Sequence, residues 1–201
     1  MQKLLQIPSI KPPLPNSWQQ EKIFPTRSLI PCDANRLFKI TSGIVRTLTY
    51  LDDGTPVVFG LWGEQEVVGS LLSQANPYYI ESFTDVKGIF FMPENPIEMT
   101  EHIKSYLRQV ESLMLIRSHR TIDVRLIHLL SWLSQRFGEE KSARGQLINL
   151  RLTHQDLADL LGATRVTVTR TLGQLEDQGL IQRLPLGRIL LKESDVWFYQ
   201  I

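Results

Sequence analysis

Nine residues, Gly162-Ala163-Thr164-Arg165-Val166-Thr167-Val168-Thr169-Arg170, place two guanidinium groups five positions apart among threonines and valines. A guanidinium is a planar, permanently charged fork of donors that matches O6 and N7 of guanine, or the oxygens of a phosphate. The methyl groups of Thr and Val suit the C5 methyl of thymine. Residues of these types point to contact chemistry with a nucleic acid rather than to bond breaking. The bland alternative is a solvated helix face.

Such groups need elements that hold them out, and the flanking text supplies them. Thr153 can cap a helix whose third residue is Asp156. Leu157, Leu160 and Leu161 give that helix an apolar face, and Gly162 ends it. A second helix starts at about Thr164, turns Val168, Leu172 and Leu175 inward, and ends at Gly179. Helix, tight glycine turn, helix is the arrangement that projects its second helix into the major groove. Arg165, Val166 and Thr169 then fall on other faces near the start of the second helix, with Thr164 and Thr167 beside them. Arg170 lies about one and a half turns beyond Arg165. "LIQRLPLGRILL" reads as a two-stranded wing turning at Pro185-Leu186-Gly187, with Arg183 and Arg188 near a nucleic-acid backbone. Net charge is only +1, but between Lys141 and Lys192 basic residues outnumber acidic ones, so the mild total conceals a basic end,.

Upstream the periods differ. Residues 1–17 hold four prolines and read as an arm,. From 18 to 95 come short runs of branched and aromatic residues, "RLFKITSGIVRTLTYL", "DDGTPVVFGLW", "EVVGSLL" and "VKGIFFM", punctuated by Gly and Asp, which suggest an antiparallel roll,. At "MPENPIEMTEH" the pattern turns helical: Asn95 can cap, Pro96 suits the first position, and Glu98 completes a capping box. Ile103, Leu107, Val110 and Met114 then share one face, and the pattern runs to Phe137 before Gly138. A helix of about 40 residues, against an average of ~11–12, predicts pairing with its twin in a homodimer. The fold class is therefore α+β: a β-roll over 18–95, a dimerisation helix over 96–138, and a winged helix-turn-helix over 139–201.

"LTHQDLADLLGATRVTVTRTLGQLEDQGLI" closely resembles the helix-turn-helix of Crp/Fnr-type transcription regulators, and "HQDLADLLGATRVTVTR" is most similar to their cyanobacterial nitrogen-regulator (NtcA) branch. "SHRTIDVRLIHLLSWLSQRFG" looks like the end of the family's dimer helix, and "SGIVRTLTYLDDGTPVVFGLWGEQEVVGSLLS" resembles its cyclic-nucleotide-type roll. The resemblance spans residues 18 to 192 and is more specific in the DNA-binding part than in the roll. It implies a homodimer on a palindromic operator, with half-sites one helical turn (~34 Å) apart and RNA polymerase as a further partner; a cytoplasmic protein is the default expectation where no run of the sequence reads as a membrane span. Arg165 and Arg170 match the family's base- or phosphate-reading arginines, and Thr153 and His154 match positions near the phosphate backbone. Val166 stands where Crp has a glutamate that reads cytosine. An aliphatic side chain cannot accept a bond from cytosine N4, so the half-site is expected to resemble GTA rather than TGTGA.

The departures concern the roll and its flanks. The amino-terminal helix is lacking, and the short helix between roll and dimer helix is truncated. The phosphate-binding cassette has Gly69-Ser70-Leu71 where cyclic-nucleotide binders have Gly-Glu, and no arginine follows in that loop. Tyr106 aligns with the nitrogen regulators' effector-binding arginine. Arg108 lies two positions on, turned away by roughly 200°. A pocket of Gly69, Ser70, Leu71, Tyr106 and Arg108 would hold a buried anion poorly, since an unpaired buried charge is strongly disfavoured. Neither cyclic AMP nor 2-oxoglutarate is expected to bind in the family's usual way.

Other classes fit less well. The single cysteine, Cys32, excludes an internal disulfide or a cysteine-held cluster within one chain,. All four histidines (His102, His119, His128, His154) lie outside the roll, where a cupin-type enzyme would need them. No P-loop, G-x-S-x-G or His-Glu-x-x-His motif occurs, so no enzyme, metal or cofactor is expected. No apolar run approaches the ~20 residues that span a bilayer. The rival from another class is a dimeric interaction or anti-regulator protein that keeps the fold without specific operator binding.

Overall fold

The computed structural model describes residues 20–138 and 145–192; the amino-terminal arm expected from the sequence falls outside them. Eight strands form the roll: β1 (Lys22–Phe24), β2 (Leu29–Ile30), β3 (Leu37–Ser42), β4 (Val45–Tyr50), β5 (Pro56–Trp62), β6 (Val67–Val68), β7 (Tyr79–Ser82) and β8 (Val86–Phe91). They pair antiparallel in two four-stranded sheets, ordered β1-β8-β3-β6 and β2-β7-β4-β5. The β4–β5 hairpin closes at Gly54, whose φ of 81° suits glycine, while Asp53 accepts a bond from the Thr55 amide at 2.9 Å,. Phe38, Ile40, Val45, Trp62, Val68, Ile80 and Val86 point between the sheets and are buried.

The helix expected over 96–138 is two helices, α1 (Pro96–Ser118) and α2 (Ile122–Phe137), separated at His119–Thr121. The likeness of "SHRTIDVRLIHLLSWLSQRFG" to the end of a dimer helix is corrected accordingly, since most of that text forms α2. His119 and Thr121 both take extended backbone, and Arg125 Nε donates to the His119 carbonyl at 2.6 Å, satisfying a group the helix end leaves open,. Beyond the break, α2 buries Leu126, Leu129, Leu130 and Leu133. At the start of α1, Asn95 accepts from the Ile97 and Glu98 amides, each at 3.0 Å. Glu98 reaches back to the Glu94 amide rather than to that of Asn95.

The carboxy-terminal unit holds β9 (Gln146–Ile148), α3 (His154–Leu161), α4 (Arg165–Asp177), β10 (Ile181–Leu184) and β11 (Arg188–Leu191). The wing is a three-stranded sheet, β10-β11-β9, one strand more than the sequence pattern shows. One continuous core joins Val58, Leu61 and Phe83 of the roll to Leu113 and Ile116 of α1, to α2, and to Leu157, Leu161, Val168 and Leu172. A second core fills the roll and takes in Tyr106 of α1.

Candidate nucleic-acid interface

The helix-turn-helix is built from short-range rules. The Thr153 hydroxyl accepts from the Asp156 amide at 3.0 Å, and Asp156 Oδ2 accepts from the Thr153 amide at 2.9 Å, a complete capping box,. Gly162 ends α3 with φ 63° and ψ 42°, a left-handed conformation that glycine adopts without a Cβ penalty,. The Ala163 amide closes on the Ala158 carbonyl at 2.9 Å. Thr164 then caps α4, its hydroxyl accepting from the Thr167 amide at 3.2 Å. Val168, Leu172 and Leu175 are buried, which fixes the roll of α4 about its axis.

That orientation leaves Arg165, Val166, Thr169 and Arg170 exposed together, with Val166 79% exposed. Neither arginine forms an ion pair with a described residue. Thr169 donates to the Arg165 carbonyl at 2.9 Å and lies 2.7 Å from His154 Nδ1, so His154 of α3 is seated against the outer side of α4. Burial lowers the His154 pKa, and the positive charges of Arg183 and Arg165 lower it further. Gln174 is exposed one turn beyond Arg170 and extends the same surface; its helical spacing from that arginine was the available signal.

Other expected contacts are already engaged. The Thr153 hydroxyl donates to Asp156 at 2.7 Å, Thr164 and Thr167 pair hydroxyls at 2.8 Å, and Arg188 Nε donates to the Pro185 carbonyl at 3.3 Å. Arg183, expected near a backbone, donates to Glu176 of α4 at 2.6 Å, which ties wing to helix. Leu186 forms the wing tip and is 71% exposed.

The residues expected at an effector pocket differ in their surroundings. Gly69 packs so closely that a Cβ would meet Leu37 at 2.8 Å, and Ser70 donates to the Asp33 carbonyl at 3.1 Å. Leu71 and Arg108 are exposed, whereas Tyr106 is buried and stacks on Trp62 at 4.6 Å. Phe59 and Tyr78 stack beside them at 6.0 Å, and Trp62 donates its indole N–H to Thr47 at 2.9 Å. Burial pushes the Tyr78 and Tyr106 hydroxyls up in pKa, so both stay neutral. On α1, Ile103, Leu107 and Met114 are exposed, while Val110 turns to the roll and packs against its core. Leu115 is exposed as well. Among the described residues no helix is long and apolar enough to cross a membrane.

A β-roll, a long helix and a winged helix-turn-helix define a class of two-part proteins in which one part presents a recognition helix. A Crp-like helix-turn-helix domain matches residues 124–195. The chain is 39% identical over 160 residues to the regulatory protein CysR of Synechococcus elongatus, covering 78% of this chain and 77% of that one. It is 32% identical over 164 residues to the global nitrogen regulator of the same organism, covering 74% and 73%. A solved Crp/Fnr-family regulator of Thermus thermophilus superposes with a TM-score of 0.70 at 24% identity, over 87% of this chain and 94% of that one. The chain belongs to the Crp/Fnr family of transcription regulators. Proteins of this family are regulators and not enzymes.

Proposed function

We propose that this protein is a cytoplasmic homodimer that binds a palindromic operator through α4 and works with RNA polymerase, its roll interior filled by its own side chains instead of an effector. The observation that carries the reading is the outer face of α4, where Arg165 and Arg170 stand exposed and without an ion pair to a described residue, beside Val166 and Thr169. Cations left in water in this way cost nothing until an anion arrives, and phosphates or guanine edges supply the acceptors. Val166 favours a thymine methyl over a cytosine donor at its position. Dimerisation is supported by the exposed Ile103, Leu107, Met114 and Leu115, since burying their remaining apolar surface would add roughly half of the ~1.5–3 kcal/mol that a fully exposed side chain gains,. The filled roll is supported by the Trp62–Tyr106 and Phe59–Tyr78 stacks.

The test is selection of bound duplexes from genomic fragments, followed by mobility shift of the winner against excess nonspecific competitor. A specific shift is expected, and Arg165→Ala should weaken it by about 1–3 kcal/mol and relax choice at one base pair. An interaction protein that had lost operator binding would shift no duplex preferentially. Unchanged preference in the variant would reassign Arg165 to positioning alone.

A further inference from the structure

The face of α3 opposite α4 carries a charge cluster that the DNA reading does not use. Asp156 and Asp159, three residues apart, lie on the side of α3 turned to the roll, with side chains only 4% and 9% exposed. Facing them are two arginines distant in sequence. Arg27 donates to Asp156 Oδ2 at 2.7 Å and lies over the Phe83 ring at 4.8 Å. Arg46, from β4, reaches Asp159 Oδ2 at 3.2 Å and stands 3.8 Å from Asp156. Glu81 of β7 lies behind them, accepting from Arg46 Nη2 at 2.9 Å. Burial works against the charge on Asp156, but the bonds from Arg27 and Thr153 outweigh it and hold the carboxyl below the usual carboxylate range.

Arg117, near the end of α1, completes the junction. Its guanidinium donates to the carbonyls of Leu160 at 2.7 Å and Asp159 at 3.3 Å, in the last turn of α3, and to the Val58 carbonyl of β5 at 2.9 Å. Terminal carbonyls lack partners within their helix, and a cation at that end also meets the negative pole of the helix dipole. One side chain thus joins the helix with the exposed apolar stripe, a roll strand and the first helix of the DNA-binding unit. It is committed to backbone and is not free to hold an effector anion.

We propose that Arg27, Arg46 and Arg117 are positioning residues for DNA reading: they fasten α3 to the roll and to α1, so that the chain itself sets the angle at which α4 meets DNA. This rests on the reading that α4 binds DNA. Because α3 and α4 share one core, holding α3 holds α4. A twofold dimer must present two such helices one turn of DNA apart, so the angle decides whether both half-sites are reached together. Arginine suits the role because its fork keeps two or three directed bonds where an ammonium would act as a point charge.

The test uses the full chain, spin-labelled at the native Cys32, which is exposed in the roll, and at Gln178→Cys just past α4. Labelled protein is diluted into unlabelled protein so that only distances within one chain are read. Wild type should give one narrow distance distribution that DNA leaves unchanged. Arg27→Gln/Arg46→Gln should broaden it and weaken operator binding about tenfold, with cooperative melting retained. Arg46→Lys should broaden it less and bind better than the double variant. If the double variant does not melt cooperatively, Arg46→Lys carries the test alone. A distribution that stays narrow overturns the proposal, as does broadening with unchanged or tighter binding, which would make the contact a restraint. If wild type selects no duplex at all, the DNA reading itself falls and takes the positioning role with it.

Discussion

The roll and the winged helix use the same side chain in opposite ways. All three roll arginines are paired with carboxylates of the described residues: Arg27 to Asp156, Arg36 to Asp33, and the largely buried Arg46 to Glu81 and Asp159. On α4, Arg165 and Arg170 face outward, with no ion pair to a described residue. The two regions also differ in their interiors, the roll mixing aromatic rings with aliphatic side chains and α4 being backed by aliphatic side chains. A guanidinium inside a protein must have its donors met, whereas one in water can wait for a ligand. The surroundings of an arginine, more than its presence, separate structural from recognition chemistry here.

The largest effect should come from breaking the proposed link between chains. Leu107→Glu/Met114→Glu changes two exposed residues of α1, so the monomer should fold with unchanged melting while operator binding is lost. Light scattering and a mobility shift check this, and a variant that stays dimeric would exclude α1 as the interface. The contrast between the buried roll interior and the exposed face of α4 can be sharpened next by thermal melting. Tyr106→Ala removes a buried stacked ring and should cost about 3–5 kcal/mol of stability, whereas Arg165→Ala should stay within about 0.5 kcal/mol. In the same spirit, calorimetric titration of wild type with cyclic AMP or 2-oxoglutarate should give no binding heat.

The smallest effect belongs to His154. Burial and its arginine neighbours keep the imidazole pKa below the ordinary 6.5. An approaching phosphate favours the charged form, so DNA binding should take up a proton and tighten as pH falls from about 8 to about 6. Without DNA the sign reverses: the unfolded chain binds the proton first, and stability falls as pH drops through about 6.5,. His154→Gln should flatten the binding profile and reduce the slope of stability, to which His128 also contributes, and an unchanged pH slope in binding would place His154 away from phosphate.

What the sequence discloses follows the range of the interaction. The Thr153 capping box, the Gly162 turn and the inward Val168, Leu172 and Leu175 all depend on residues within two turns, and each was legible. The break at His119–Thr121 was not, because no glycine or proline marks it and Ser118-His119-Arg120-Thr121 fits a helix nearly as well. Strand β7 was hidden in "NPYYIES", whose flanking proline and serines read as loop. Arg27 and Asp156 are 129 positions apart, and no local pattern announces their pairing. Tyr106 was legible as the residue replacing an arginine, but its stack on Trp62 was not.

The core shared by the two ends bears on how the chain can be divided. Leu126, Leu129 and Leu130 of α2 belong with Val58 and Leu61 of the roll and with Val168 and Leu172 of α4, and the Crp-like domain match begins at residue 124, inside α2. A cut at 138 therefore separates side chains that share one hydrophobic core. Heat or denaturant should dismantle the described body in a single cooperative transition. A substitution such as Val58→Ala in a roll strand would then be inherited by the recognition helix as a loss of its own thermal margin.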